Sequence, residues 1–135
     1  MTDQGPNPLV INICAAAQSN AAFRAAIWTG KHLQVTLMSI PVCGEIGLES
    51  HPYLDQFLRI ESGQGLVTMG PSKELLSQRQ AVCRNSAIVI PAGTWHNLTN
   101  TGSCPIKLYS IYAPPQHPKG TCHLTKAEAD MAEEH

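Results

Sequence analysis

Two short segments hold most of the residues able to do chemistry: GEIGLESHPYLDQFLRIESGQG, residues 44–65, and PAGTWHNLTN, residues 91–100. In the first, Glu49 and His51 stand two positions apart. Alternate residues of a strand share a face, so this carboxylate and imidazole point the same way. Pro52 to Asp55 reads as a loop, and Gln56 opens a partner strand close to His51 across the hairpin. With Gln56 inward, Leu58 and Ile60 are inward too, while Phe57 and Arg59 face out. A carboxylate, an imidazole and an amide then converge among apolar neighbours. Burying Glu49 there without a partner costs several kcal/mol, or neutralises it. A bound cation removes the conflict.

Each residue also has a plainer role open to it. An inward histidine can be a hydrogen-bonded core residue, Glu49 an edge-strand surface carboxylate, and Gln56 a partner for backbone groups. Asp55 replaces Gln56 as a ligand if the hairpin register slips by one, but that slip turns Leu58 and Ile60 outward. Tyr53 stands near the ligand loop, either on the surface or at the barrel mouth. His117 and His123 lie in APPQHPKGTCH, read either as a solvated loop or as a flap that brings His117 over the pocket as an acid or base.

The elements that must position these residues are short. Gly and Pro punctuate the chain at close intervals, separating runs rich in β-branched and apolar residues, the pattern of a sandwich or barrel. Phe23 to Thr29 and His32 to Ile40 read as a hairpin around Gly30-Lys31. In the latter run Leu33, Val35 and Leu37 alternate with Gln34, Thr36 and Met38. Ile46 to His51 and Gln56 to Ile60 read as a second hairpin. Gln64 to Met69, Ala87 to Ile90, Trp95 to Asn100 and Ile106 to Tyr112 complete the strands. Gly70 to Gln80 is polar and reads as a loop or short helix. Cys14 to Ala22 suits one or two helical turns. A capping-box pattern at Thr125 and Glu128 predicts a C-terminal helix over about 126–134.

The second segment resembles the cupin motif PxGxxHxxxN in full, through Pro91, Gly93, His96 and Asn100. The first resembles the other cupin motif, G(X)5HxH(X)3–4E(X)6G, with departures. With Gly63 as its last glycine, Gln56 takes the glutamate position, His51 the second histidine and Glu49 the first; Gly44 lies one residue too close to open it. Runs from about Val10 to the tail are similar to small stand-alone cupins, a subgroup whose members carry mannose-6-phosphate isomerase-like names. The resemblance implies an all-β fold, a double-stranded β-helix or jelly-roll barrel over about 23–113 within a single domain, 1–135. It also implies one divalent metal ion on Glu49, His51, Gln56 and His96. Asn100 is expected to fix a turn rather than touch metal. Like a three-His, one-Glu site, this set supplies one negative charge; the carboxylate has moved. Mixed O and N ligands suit Zn, Fe, Mn, Ni or Co. The function implied is metal-dependent chemistry on a small polar molecule inside the barrel, either sugar isomerisation or epimerisation, or oxygen-dependent cleavage of an organic acid. The alternative is a non-catalytic ligand-binding barrel with a structural or sensing metal.

Bulk properties limit the partners. Net charge is -1 with only 14% charged residues, so no basic patch is present for nucleic acid. No apolar run is long enough for a membrane span, and the N-terminal residues lack a signal-peptide layout, so a cytoplasmic protein is expected. Five widely spaced cysteines, Cys14, Cys43, Cys83, Cys104 and Cys122, match no disulfide framework. They read as buried free thiols, with Cys43 close enough to the metal segment to be a spare ligand. An outward Phe57 needs cover, which predicts a homodimer.

Overall fold

The structure is a computed structural model describing residues 1–133. Helix α1 (Ile13–Ser19) precedes the strands β1 (Arg24–Thr29), β2 (Gln34–Ile40), β3 (Asp55–Ser62), β4 (Gln64–Gly70), β5 (Gln78–Cys83), β6 (Ala87–Ile90), β7 (Trp95–Asn100), β8 (Ile106–Ala113) and β9 (Cys122–His123). Helix α2 (Lys126–Glu133) follows. Six strands form one antiparallel sheet in the order β6-β3-β8-β2-β1-β9, and three form a second, β5-β4-β7. The two sheets face each other across Met38, Ile40, Ile60 and Leu108 on one side and Val67 and Leu98 on the other. This is the jelly-roll barrel that the sequence implies, with its short C-terminal helix; Glu134 of the expected helix lies outside the described residues.

The first hairpin forms as expected, with Ala25 opposite Leu37. The second does not. Residues 44–51 make no continuous strand, because Gly47 adopts φ +105°, a backbone that side-chain-bearing residues avoid. They touch β7 instead, by single bridges from Glu45 to Thr99 and from Glu49 to His96. β3 pairs with β6 and β8. β5 runs where a loop was expected at its start. Its sequence QRQAVC is polar because it is an edge strand, exposed at all but Val82. Helix α1 begins at Asn12, whose side chain accepts from the Ala15 N–H. The α2 cap is only partly reciprocal: Thr125 Oγ1 accepts from the Glu128 N–H, while the Glu128 carboxylate reaches the Leu124 N–H.

The outer face of the large sheet is apolar and covered in part by α1. Ala17 of α1 packs with Ile27 and Leu37, and Ile13, Val35 and Tyr109 lean on that cluster. Phe57 is half-buried beside Tyr109, with ring centroids 6.4 Å apart. The cysteines are free, as expected, but not buried. Four are exposed and Cys14 is intermediate, because they fall in turns, on edge strands or on the outer side of α1.

Candidate metal centre

Glu49 and His96 are a directly opposed, doubly hydrogen-bonded pair: Glu49 N–H donates to the His96 carbonyl at 3.0 Å and His96 N–H to the Glu49 carbonyl at 2.9 Å. Residues so paired hold their side chains side by side on one face. His51, two residues on, shares that face, and its carbonyl is anchored by the Gly93 N–H at 2.9 Å. Glu49 Oε1 lies 3.4 Å from His51 Nε2 and 3.4 Å from His96 Nε2. The three ligand atoms are all within 4.8 Å of one another. The imidazole centroids are 5.7 Å apart.

That spacing is long for a charge-assisted hydrogen bond. It matches the separation of two atoms that each sit about 2.0–2.2 Å from a common ion, which is roughly 3–3.5 Å. The His96 ring sharpens the point. Its Nδ1 lies 2.9 Å from the Thr94 carbonyl, which can only accept, so Nδ1 carries the proton. When that ring is neutral, its Nε2 turns a bare lone pair toward the Glu49 oxygen. His96 Nε2 and His51 Nε2 are both buried without a hydrogen-bond partner. Burial pushes the Glu49 carboxyl up, and the hydrogen bonds and charge of His51 and His96 in their protonated forms outweigh it and hold the carboxyl well below the usual range; a cation does the same where the rings are neutral. Lone pairs facing an ionised carboxylate repel unless a cation lies between them. The residues therefore fit a divalent ion, bound by two imidazoles and one carboxylate.

Gln56 is 97% buried on the inner face of β3, as the strand register requires. Its Nε2 donates to Ser110 Oγ at 2.9 Å, and its Oε1 is buried with no partner. Asp55 is exposed and accepts from the Ala92 N–H at 2.9 Å, so it shapes the loop before β7 instead of pointing inward. Tyr53 is exposed, away from the interior. Asn100 fixes turns as expected: its amide nitrogen donates to the carbonyls of Ile40, Pro41 and Cys104, and its oxygen accepts from Gly102 N–H. Cys43 sits exposed in a turn.

Of the two readings of the His117 segment, the structure shows the inward one. Gln34, fully buried, clamps the loop backbone by accepting from the His117 N–H at 2.9 Å and donating to its carbonyl at 2.8 Å. The ring stands edge-on to Tyr112, centroids 5.2 Å apart, and Tyr112 stands edge-on to His51 at 6.0 Å. His117 Nε2 has no partner. Burial, helped by the positive charge of Arg24, pushes its pKa down to about 3. Burial raises the Tyr112 phenol, against the pull of the nearby Arg24 guanidinium.

The residues that sequence reasoning missed are Arg24, Gln34, Thr36, Ser110 and Tyr112, all inward and buried. A signal existed. In QVTLMSI the polar alternate positions Gln34 and Thr36 mark the inner face here, while Val35 and Leu37 face α1.

Residues 36–112 match the family model described as Cupin domain. The chain is 60% identical over 134 residues to a Bacillus subtilis protein described as uncharacterized, YrkC, covering 99% of this chain and 72% of that one. It is 35% identical over 121 residues to the uncharacterized protein L612 of Acanthamoeba polyphaga mimivirus, covering 89% and 74%. The crystal structure of BH2720 from Bacillus halodurans superposes with a TM-score of 0.96 at 61% identity, covering 97% of this chain and 99% of that one.

Proposed function

The chain belongs to the cupin family, and from that premise we propose that it is a metal-dependent enzyme acting on a small polar molecule inside the barrel. Glu49, His51 and His96 would hold one divalent ion, with Gln56 Oε1 as a fourth, weaker ligand. The observation that carries this reading is Glu49 Oε1 at 3.4 Å from two unpartnered imidazole nitrogens, one of them on a ring oriented by the Thr94 carbonyl at its other nitrogen. The ion, when bound, supplies a Lewis acid for a substrate oxygen.

The chain's own side chains favour catalysis over mere binding. Tyr112 carries a phenol kept protonated by burial, and His117 a ring nitrogen kept free of a proton. Tyr112 stands edge-on to His51, and His117 stands edge-on to Tyr112. A substrate held at the triad would meet Tyr112, a group able to donate a hydrogen bond, and could extend past it to His117, a group able to accept one. That pairing suits the movement of a proton between neighbouring carbons, as in isomerisation or epimerisation, and agrees with the resemblance to isomerase-like cupins. A two-His, one-carboxylate set also suits iron oxygenases, which keeps oxygen-dependent cleavage as the second reading.

Elemental analysis of purified protein tests the metal. About one divalent ion per chain is expected, and none in the His51→Ala/His96→Ala double variant. Full occupancy in that variant would place the site elsewhere. Solvent deuterium exchange into small sugars and organic acids, screened under each metal, tests the chemistry; a metal shell with no exchangeable water would count against an enzyme. No helix among the described residues is long and apolar enough to cross a membrane. We place the protein in the cytoplasm as a homodimer, joined through the outer sheet, where Leu9, Val10 and Leu33 remain exposed beyond the cover of α1. Sedimentation at 14.6 kDa alone would reject the dimer.

A further inference from the structure

Arg24 is a buried cation without a counter-ion. Its side chain is 97% buried on the inner face of β1, directly opposite Met38 on one side and His123 on the other. Its Nε and Nη1 have no hydrogen-bond partner, and among the described residues it makes no ion pair. An unpaired guanidinium in a protein interior is strongly unfavourable. Three further buried polar atoms share the interior with it and are equally unpartnered: Thr36 Oγ1, His117 Nε2 and His123 Nδ1. The guanidinium is close enough to Tyr112, His117 and His123 to act on the titration of each. Tyr112 links this group to His51 of the triad.

The charge count points one way. Glu49 is the one carboxylate at the triad, and it is already shared between two imidazoles. Arg24 and a divalent ion together exceed it by two positive charges. A charge excess of this kind, with open guanidinium and hydroxyl donors, is complementary to an oxyanion.

We propose that the molecule entering this barrel carries an oxyanion group, a carboxylate or a phosphate, and that Arg24 binds that group at a subsite adjoining the triad. The inference deepens the metal-dependent reading above, because the rest of the same molecule would reach the triad, but the Arg24 limb is testable without metal. Thr36 offers a hydroxyl to the same group, and Tyr112 separates it from the metal ligands. A neutral sugar would leave the guanidinium unpaired and is discriminated against.

Calorimetry on metal-stripped and zinc-loaded protein tests this, with malonate, inorganic phosphate and neutral glycerol as probes. Wild type is expected to bind malonate or phosphate and not glycerol; which anion binds identifies the group. Arg24→Gln should weaken anion binding by about tenfold or more while zinc content stays unchanged, and Arg24→Lys should restore part of it. Equal anion binding by folded Arg24→Gln would overturn the proposal, as would no saturable binding of either anion by wild type up to about 10 mM. Anion binding that depends on Arg24 in a protein that takes no zinc would keep the proposal and sink the metal reading. If neither variant folds, the Arg24 Nε–H resonance of wild type decides. It should shift with malonate or phosphate and not with glycerol; no shift with either anion overturns the proposal.

Discussion

On β2 the inward residues run Gln34, Thr36, Met38, Ile40, and on β8 their partners run Tyr112, Ser110, Leu108, Ile106. On β3 the same progression reads Gln56, Leu58, Ile60. One end of the barrel interior is therefore polar on three adjacent strands, and the other end is apolar on the same three. At the apolar end Ile40, Ile60, Ile106 and Leu108 are fully buried. At the polar end, buried atoms of Arg24, Thr36, His51, Gln56, His96, His117 and His123 lack partners. Buried polar groups are normally paired, so an interior that leaves seven residues wanting suits a bound guest. The apolar end holds the strands in register so that the polar end can stay open.

The difference should appear most strongly on metal removal. An ion bound only by the folded state, at about a thousand times its dissociation constant, stabilises by about 4 kcal/mol. A chelator should lower the melting temperature of wild type by that equivalent and leave His51→Ala/His96→Ala unchanged. An equal chelator effect on both would dissociate the polar end from metal binding. At the apolar end, Leu108→Ala should cost about 3 kcal/mol through the cavity it leaves. Its chelator effect should match that of wild type; a lost metal response would mean the two ends are not separable.

The two ends were not equally legible in the sequence. Motif spacing singled out Glu49, His51, Gln56 and His96 as candidates, because a glycine-and-proline frame around metal-type residues is specific. The structure brings Glu49, His51 and His96 together. The route was different from the one expected: no hairpin joins Glu49 to Gln56, and the link is a two-residue bridge to β7. A positive-φ glycine inside an apparently alternating run hid that break. Arg24, Thr36 and Tyr112 were illegible for another reason. Alternation in a strand reveals that two faces exist, but not which is inside. Here helix α1 covers the apolar outer face, so the polar alternates were free to face the site. His117 depended on a clamp from Gln34, a contact 83 residues apart that no local pattern records.

A smaller effect separates the ends by pH. His117 is held neutral in the fold, its pKa down to about 3 against an ordinary value of 6.5. A depressed histidine contributes stability that is fully present above the unfolded value and lost as pH falls below it. Metal-stripped protein should lose about 2 kcal/mol by about pH 5 through this group. Urea unfolding at both pH values should show a smaller loss in His117→Gln. Parallel pH curves for the two proteins would show that His117 titrates freely and is not buried against Tyr112.

The smallest and most discriminating change is at Gln56, where the polar end begins. Its Nε2 already donates to Ser110 Oγ, so the amide orientation is set and Oε1 is the atom left facing inward. As the proposed fourth ligand, an amide oxygen is neutral and weaker than a carboxylate or an imidazole. Gln56→Glu keeps the shape and adds a negative charge, and the Ser110 hydroxyl can turn to donate to it. With an ion bound, the site charge falls toward zero, and affinity should rise by about tenfold, or about 1.4 kcal/mol. Without metal, the same carboxylate is buried with no cation to offset it and should destabilise the fold. The variant should thus be less stable than wild type when stripped and hold its metal more tightly when loaded, a crossing that chelator titration and melting curves both read. Weaker metal binding in Gln56→Glu would mean that the amide serves only Ser110, and that the centre is made by Glu49, His51 and His96 alone.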